Sequence, residues 1–135
     1  ITITSPAEIV GAGLDGKNLR IVGTTVTVVG SHAFGNVALL GGAVLTHRET
    51  TQTEAYGIEL TAWTLTVDAT SRIDVVGRGY LGGNRTGLGE TGHPAGFTAG
   101  AQNGSGGSYG GLGGDFSGNG ASVPNPVYGS ASEPV

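Results

Sequence analysis

Four residues close together in the chain carry groups that recognise polar ligands: Arg72, Asp74, Arg78 and Tyr80. On an extended segment successive side chains alternate between faces. Arg72 and Asp74 therefore share one face, and Ile73 and Val75 share the other. Arg78 and Tyr80 alternate in the same way just beyond. Two guanidinium groups, a carboxylate and a phenol on one surface are the chemistry of a sugar-binding face. The structural alternative is a same-face ion pair on a solvated strand, worth at most about 1 kcal/mol.

A second candidate is a cation site. Gly110-Gly111-Leu112-Gly113-Gly114-Asp115-Phe116-Ser117-Gly118 follows the calcium-binding nonapeptide through its first six positions. Ser117 stands where that repeat has a large apolar residue. Calcium takes about six to eight oxygens, supplied by neighbouring repeats. Asp115 is thus the one candidate calcium ligand, and an exposed Asp on a Gly-rich turn is the alternative.

Other chemistries find little support. His32, His47 and His93 lack the helical spacing of a zinc pair, and a His near a strand end is usually a surface or turn residue. Gly104-Ser105-Gly106-Gly107 has no strand-turn-helix context for a nucleophile elbow. No Gly-Lys-Ser/Thr phrase forms a phosphate loop. Lys17 is the only lysine, and the acids and arginines are dispersed. That is a poor set for a polysaccharide lyase. The reading is non-catalytic, with a polysaccharide-binding or lyase-like module as the alternative.

The elements that position these residues are short strands. Period-two alternation appears at Ile1–Thr4, Leu19–Val22, Val26–Val29, Val37–Leu40, Val44–His47, Ile58–Trp63, Leu65–Asp68 and Ile73–Val76. β-branched residues dominate these runs, as strands prefer. Several of the runs close on glycine. No sustained helical stripe with caps occurs, so almost no helix is expected. The gaps are short, and phrases such as Leu19-Arg20-Ile21-Val22-Gly23 and Val26-Thr27-Val28-Val29-Gly30 repeat one form. These features predict an all-β fold, a short parallel β-solenoid with Gly-rich extended loops. An antiparallel β-sandwich is the alternative. Thr25, Thr27, Thr64 and Thr66 are expected to face solvent.

Composition bounds the rest. The 135 residues make one domain's worth of chain, with 28 glycines, about three times the usual share. Residues 1–76 form the strand-rich part. Residues 77–135 form a Gly-rich part expected to pack on it within the same domain. Gly104, Gly107, Gly110 and Gly113 recur every third residue, the polyproline II period, without the Pro that collagen needs. Charged residues are 12%, the net charge is -4 and no basic run occurs, so a nucleic-acid footprint is absent. No apolar run approaches the ~18 residues of a membrane helix. There is no Cys for disulfides or a thiolate zinc site. With no Met either, Ile1 is read as a product of processing, any signal peptide having been removed.

The phrase Thr70-Ser71-Arg72-Ile73-Asp74-Val75-Val76-Gly77-Arg78-Gly79-Tyr80-Leu81-Gly82-Gly83 is the most distinctive. Together with Gly106-Gly107-Ser108-Tyr109-Gly110-Gly111-Leu112-Gly113-Gly114 and Val127-Tyr128-Gly129, it resembles a Gly-rich module of very large secreted or surface proteins of bacteria. The likeness covers roughly residues 14–135. It implies a β-helix-like piece of an extracellular adhesive or filamentous protein, secreted or at the cell surface. It also implies partners that are copies or adjoining repeats of the same protein, or glycans. It carries no catalytic residues.

Overall fold

The computed structural model describes residues 1–81 together with Gly92, His93, Gly100, Ala101, Gly113, Gly114, Pro124, Pro126 and Val127. Asp115 and most of the Gly-rich part lie outside the described residues. The chain divides into two compact units. The first is Ile1–Glu49 with Tyr56–Gly79, and the second is Thr50–Ala55 with Tyr80–Val135.

The first unit is all-β. Its strands are β1 (Thr2–Ile3), β2 (Ala7–Val10), β3 (Leu19–Val22), β4 (Thr25–Val29), β5 (Ser31–Leu40), β6 (Val44–His47), β7 (Glu59–Val67) and β8 (Arg72–Ile73). One 3-10 turn, Ala12–Leu14, is the only helical element among the described residues. Odd strands form one four-stranded sheet in the order β1-β3-β5-β7, and even strands form another in the order β2-β4-β6-β8. Every pairing is parallel. The antiparallel sandwich is therefore not formed. Two residues, Gly23 and Thr24, carry the chain from β3 to β4 and from one sheet to the other.

The register stacks like on like. Ile3 stands against Ile21, Ile21 against Leu39, and Leu39 against Val67. In the other sheet Ala7, Val26, Leu45 and Ile73 make the matching column. Ile21, Val26, Leu39 and Leu45 are fully buried, and residues from both sheets join in one apolar core. Burying each of these side chains contributes roughly 1.5–3 kcal/mol.

The strands depart from the sequence pattern in four places, the first being β5, which begins at Ser31 rather than at Val37. Ala7–Val10 is a strand although Pro6 and Glu8 obscure its alternation; Ile9 alone is its buried anchor. The runs at Ile58–Trp63 and Leu65–Asp68 are one strand, β7. The run Ile73–Val76 shortens to Arg72–Ile73, because Asp74 turns back to accept from the Val76 backbone N–H at 3.1 Å. Gly23, Gly30 and Gly77, which close recurring phrases, all have positive φ. Among the expected outward threonines, Thr25, Thr64 and Thr66 are exposed and Thr27 is half-buried.

A corner runs through β5 and β7. Buried positions step from Phe34 to Val37, three residues rather than two. The step falls where the side chain of Asn18 reaches over, its Oδ1 accepting from the Asn36 backbone N–H at 2.8 Å. Asn36 Oδ1 in turn accepts from the Thr64 hydroxyl. A Cβ on Gly35 would sit 2.4 Å from Asn18 Oδ1, so a side chain there would push that carboxamide off the Asn36 N–H.

In the second unit, Thr51 and Glu54 close a tight loop, Thr51 N–H donating to the Glu54 carbonyl at 2.8 Å. Gly100 N–H donates to the Gly92 carbonyl at 2.7 Å, and a Cβ there would lie 2.5 Å from that oxygen. At this contact glycine admits backbone directly onto backbone. Among the described residues, no helix is long and apolar enough to cross a membrane.

Candidate functional site

Three of the four residues picked out for sugar binding come together. Arg72, Asp74 and Arg78 line a groove of about 280 Å³ with Thr25, Thr46 and Val76. The parallel register explains the gathering. Thr25 stands against Val44 and Val44 against Arg72, while Thr46 lies two residues along β6. This part of the second sheet thus presents the Thr25 hydroxyl beside guanidinium groups, with Thr46 buried beneath. Tyr80, the fourth residue, falls past the boundary, in the second unit.

Within the groove Asp74 is the organiser. Its Oδ2 accepts from Arg72 Nε at 3.0 Å, and its Oδ1 from the Val76 N–H. The Val76 amide, and after it Arg72, hold the carboxyl below its ordinary range. The same-face ion pair expected from the alternation is therefore formed, with the Arg72 side chain 60% exposed. Arg78 donates from NH1 to the His47 carbonyl at 2.7 Å. That bond ties Arg78 to the end of β6, where Thr46 and His47 are buried.

The histidines correct the sequence reading. His32 and His47 were expected at the surface or in turns, but both are buried. His32 stacks on Phe34 with ring centroids 5.6 Å apart and turns Nδ1 to Asp15 Oδ1 at 3.1 Å and Nε2 to the Val29 carbonyl at 3.2 Å. His47 turns Nδ1 to the Arg48 carbonyl at 2.7 Å. Both nitrogens of His32 and Nδ1 of His47 thus have partners, and among the described residues no buried side-chain polar atom is left unpaired. His93 Nδ1 lies 3.3 Å from the Gln52 carbonyl. Among the described residues no three His, Asp or Glu side chains are grouped to hold a metal.

Two features escaped the sequence reading. Asp68 Oδ2 accepts from the Gly41 N–H at 2.6 Å, and its Oδ1 accepts from the Thr70 and Ser71 N–H groups and the Thr70 hydroxyl. The Gly41 amide, followed by Ser71 and Thr70, drives this carboxyl far below the ordinary carboxylate range. Thr70 Oγ1 and Ser71 Oγ accept from the Gly42 and Ala43 N–H groups. Three side chains within Asp68-Ala69-Thr70-Ser71 thus satisfy three consecutive amides, those of Gly41, Gly42 and Ala43. The signal was available, since Asp, Ser and Thr in a short polar break favour turns of this kind.

Trp63 is the other. It is 90% exposed and sits opposite the Gly35 corner. In the run Ile58–Trp63 it shares the outward face with Glu59 and Thr61, and the corner separates it from Leu65 and Val67. No protein-family model, curated protein or solved structure matches the chain.

Proposed function

We propose that the chain is a non-catalytic structural or adhesive module, a short parallel β-solenoid that extends by stacking on a second copy or an adjoining repeat. One observation carries the reading. The apolar columns that are sealed in the middle of the first unit stay open at its final strands: Leu65 is 45% exposed, Val67 41%, Ile73 45% and Val75 47%. Parallel strand edges with open apolar columns are templates for further strands. The placement outside the cell rests on the likeness of the Thr70–Gly83 phrase and its Gly-rich companions to modules of secreted and surface proteins.

The test is assembly against concentration, by sedimentation and electron microscopy. Filaments or growing oligomers are expected, and the double substitution Val67→Lys with Ile73→Lys should abolish them. A monodisperse monomer at every concentration sinks the proposal.

A second reading is polysaccharide binding at the Arg72–Asp74–Arg78 groove, favoured because three residues chosen for that chemistry line one groove. Replacing both arginines by Ala should release a retained polysaccharide in affinity electrophoresis. Unchanged retention removes this groove from consideration.

A further inference from the structure

The first unit carries another groove, of about 460 Å³, bounded by Asp15, Gly16, Phe34, Gly35, Thr61 and Trp63. We propose that it binds a neutral sugar ring, stacked on the indole of Trp63. This goes beyond both readings above, since it uses the outward face of β7 at Thr61 and Trp63 and neither the open apolar columns nor the arginine groove.

The indole is where the argument begins. Trp63 is 90% exposed, and it is the only tryptophan in the chain. A side chain of this size ordinarily finds burial, and Trp with one free face is enriched where proteins meet partners. The corner keeps it exposed for a structural reason: Gly35, its neighbour across the strand pair, has no side chain to cover it.

The polar wall is built from behind. Asp15 spends Oδ1 on His32 Nδ1, while Oδ2 takes no hydrogen bond among the described residues. Its side chain is 28% exposed, whereas that of His32 is 1% exposed. His32 is fixed in turn by the Val29 carbonyl and by its stack on Phe34. The carboxylate is therefore held by a rigid support, as a binding group needs to be. Thr61 adds an exposed hydroxyl on the same strand as the indole.

A flat apolar face beside a fixed acceptor and a hydroxyl matches a pyranose, which has a C–H face and hydroxyl edges. Charge selects among sugars. A carboxylate in the wall repels a uronate, so the ring bound is a neutral one. An ammonium group would also meet indole and carboxylate. A pyranose also brings hydroxyls, which the Asp15 carboxylate and the Thr61 hydroxyl can both engage and a quaternary ammonium does not supply.

Because Trp63 is the sole tryptophan, its emission reports this groove alone. The full chain would be titrated with soluble neutral oligosaccharides of glucose, mannose, galactose and xylose, with hexagalacturonate, and with tetramethylammonium chloride. A saturable blue shift with at least one neutral sugar is expected, and neither charged probe should reproduce it. By calorimetry Trp63→Ala should weaken that sugar about tenfold or more, about 1.4 kcal/mol or more. Trp63→Tyr should retain most of the affinity, and Thr66→Ala, an exposed change outside both grooves, all of it. Circular dichroism checks that the variants keep their strands. The proposal is overturned by silence toward every neutral sugar, by a response only to the charged probes, or by equal affinity in Trp63→Ala. A blue shift that grows with protein concentration and no sugar also overturns it, and marks the indole as a contact between copies.

Discussion

The middle of the first unit and its final strands are written in the same alternating pattern, yet they are held by different forces. Around β3 to β6, Ile21, Val26, Leu39 and Leu45 are fully buried. At β7 and β8, the residues in register with them, Val67 and Ile73, are nearly half exposed. Leu60 and Ala62 at the start of β7 still pack on the core, whereas the connection from β7 to β8 is tied down by polar contacts. Asp68, Thr70 and Ser71 accept hydrogen bonds from the amides of Gly41, Gly42 and Ala43. Burial of a column needs a neighbour on both sides, whereas a side-chain clasp needs only one. A stack of parallel strands therefore changes its adhesive toward an edge.

The sharpest way to break this comparison is a matched pair of truncations. Leu39→Ala empties a sealed column and should cost about 2–5 kcal/mol in chemical denaturation. Val67→Ala removes less, from a site that water already reaches, and should cost under about 1 kcal/mol. Equal losses at the two positions would mean that the final strands are as well covered as the middle.

The corner offers a test that does not depend on apolar burial. Gly35→Ala sets a methyl 2.4 Å from Asn18 Oδ1. Asn18 then swings away and gives up the Asn36 N–H, or the backbone shifts. Overpacking of this kind costs about 1–3 kcal/mol. Adding Asn18→Ala removes the obstacle, so the double variant should cost less than the sum of the singles. Strict additivity would show that the carboxamide is not what demands glycine.

How much of this was legible in the residues follows the same division. Alternation in Leu19–Val22 and Val26–Val29 marks strands because both lie in sealed columns, where every second residue must be apolar. It overstates Ile73–Val76, where no column closes and Asp74 takes the backbone into a turn. Parallel pairing was readable from connections as short as Gly23-Thr24 between phrases of one form. The gathering of Arg72, Asp74 and Arg78 was half readable. Alternation joins the first two, but Thr25 and Thr46 arrive only through register, which is a long-range property. Trp63 was not singled out, although alternation in Ile58–Trp63 sets it outward with Glu59 and Thr61, because the groove beside it forms only where Asp15 and Gly16 meet β5 and β7. The burial of His32 was hidden because its partner Asp15 comes from a different part of the chain.

The smallest expected effect sharpens the polar side of the comparison, through pH. Asp68 is held ionised by the Gly41 amide, then by Ser71 and Thr70, so its folded pKa lies well below the ordinary 3.8. For a depressed carboxylate the stabilisation is complete above the unfolded value and disappears as pH falls toward the folded one. Between neutral pH and about 5 the clasp should contribute a constant amount. Below the ordinary carboxylate value the stability should fall as protons bind the unfolded chain first. Asp68→Asn keeps the shape but replaces one accepting oxygen with a donor that faces amide N–H groups. Its denaturation midpoint should lie below that of the unsubstituted chain at neutral pH, and the gap should narrow as the pH falls below about 4. Thr66→Ala, an exposed change on the neighbouring strand, serves as the control with no such pH dependence. If the gap between Asp68→Asn and the unsubstituted chain stays constant through the acid range, the ionised carboxylate is not what fastens the final strands. The hydroxyls of Thr70 and Ser71, which reach Gly42 and Ala43, would then carry the clasp without it.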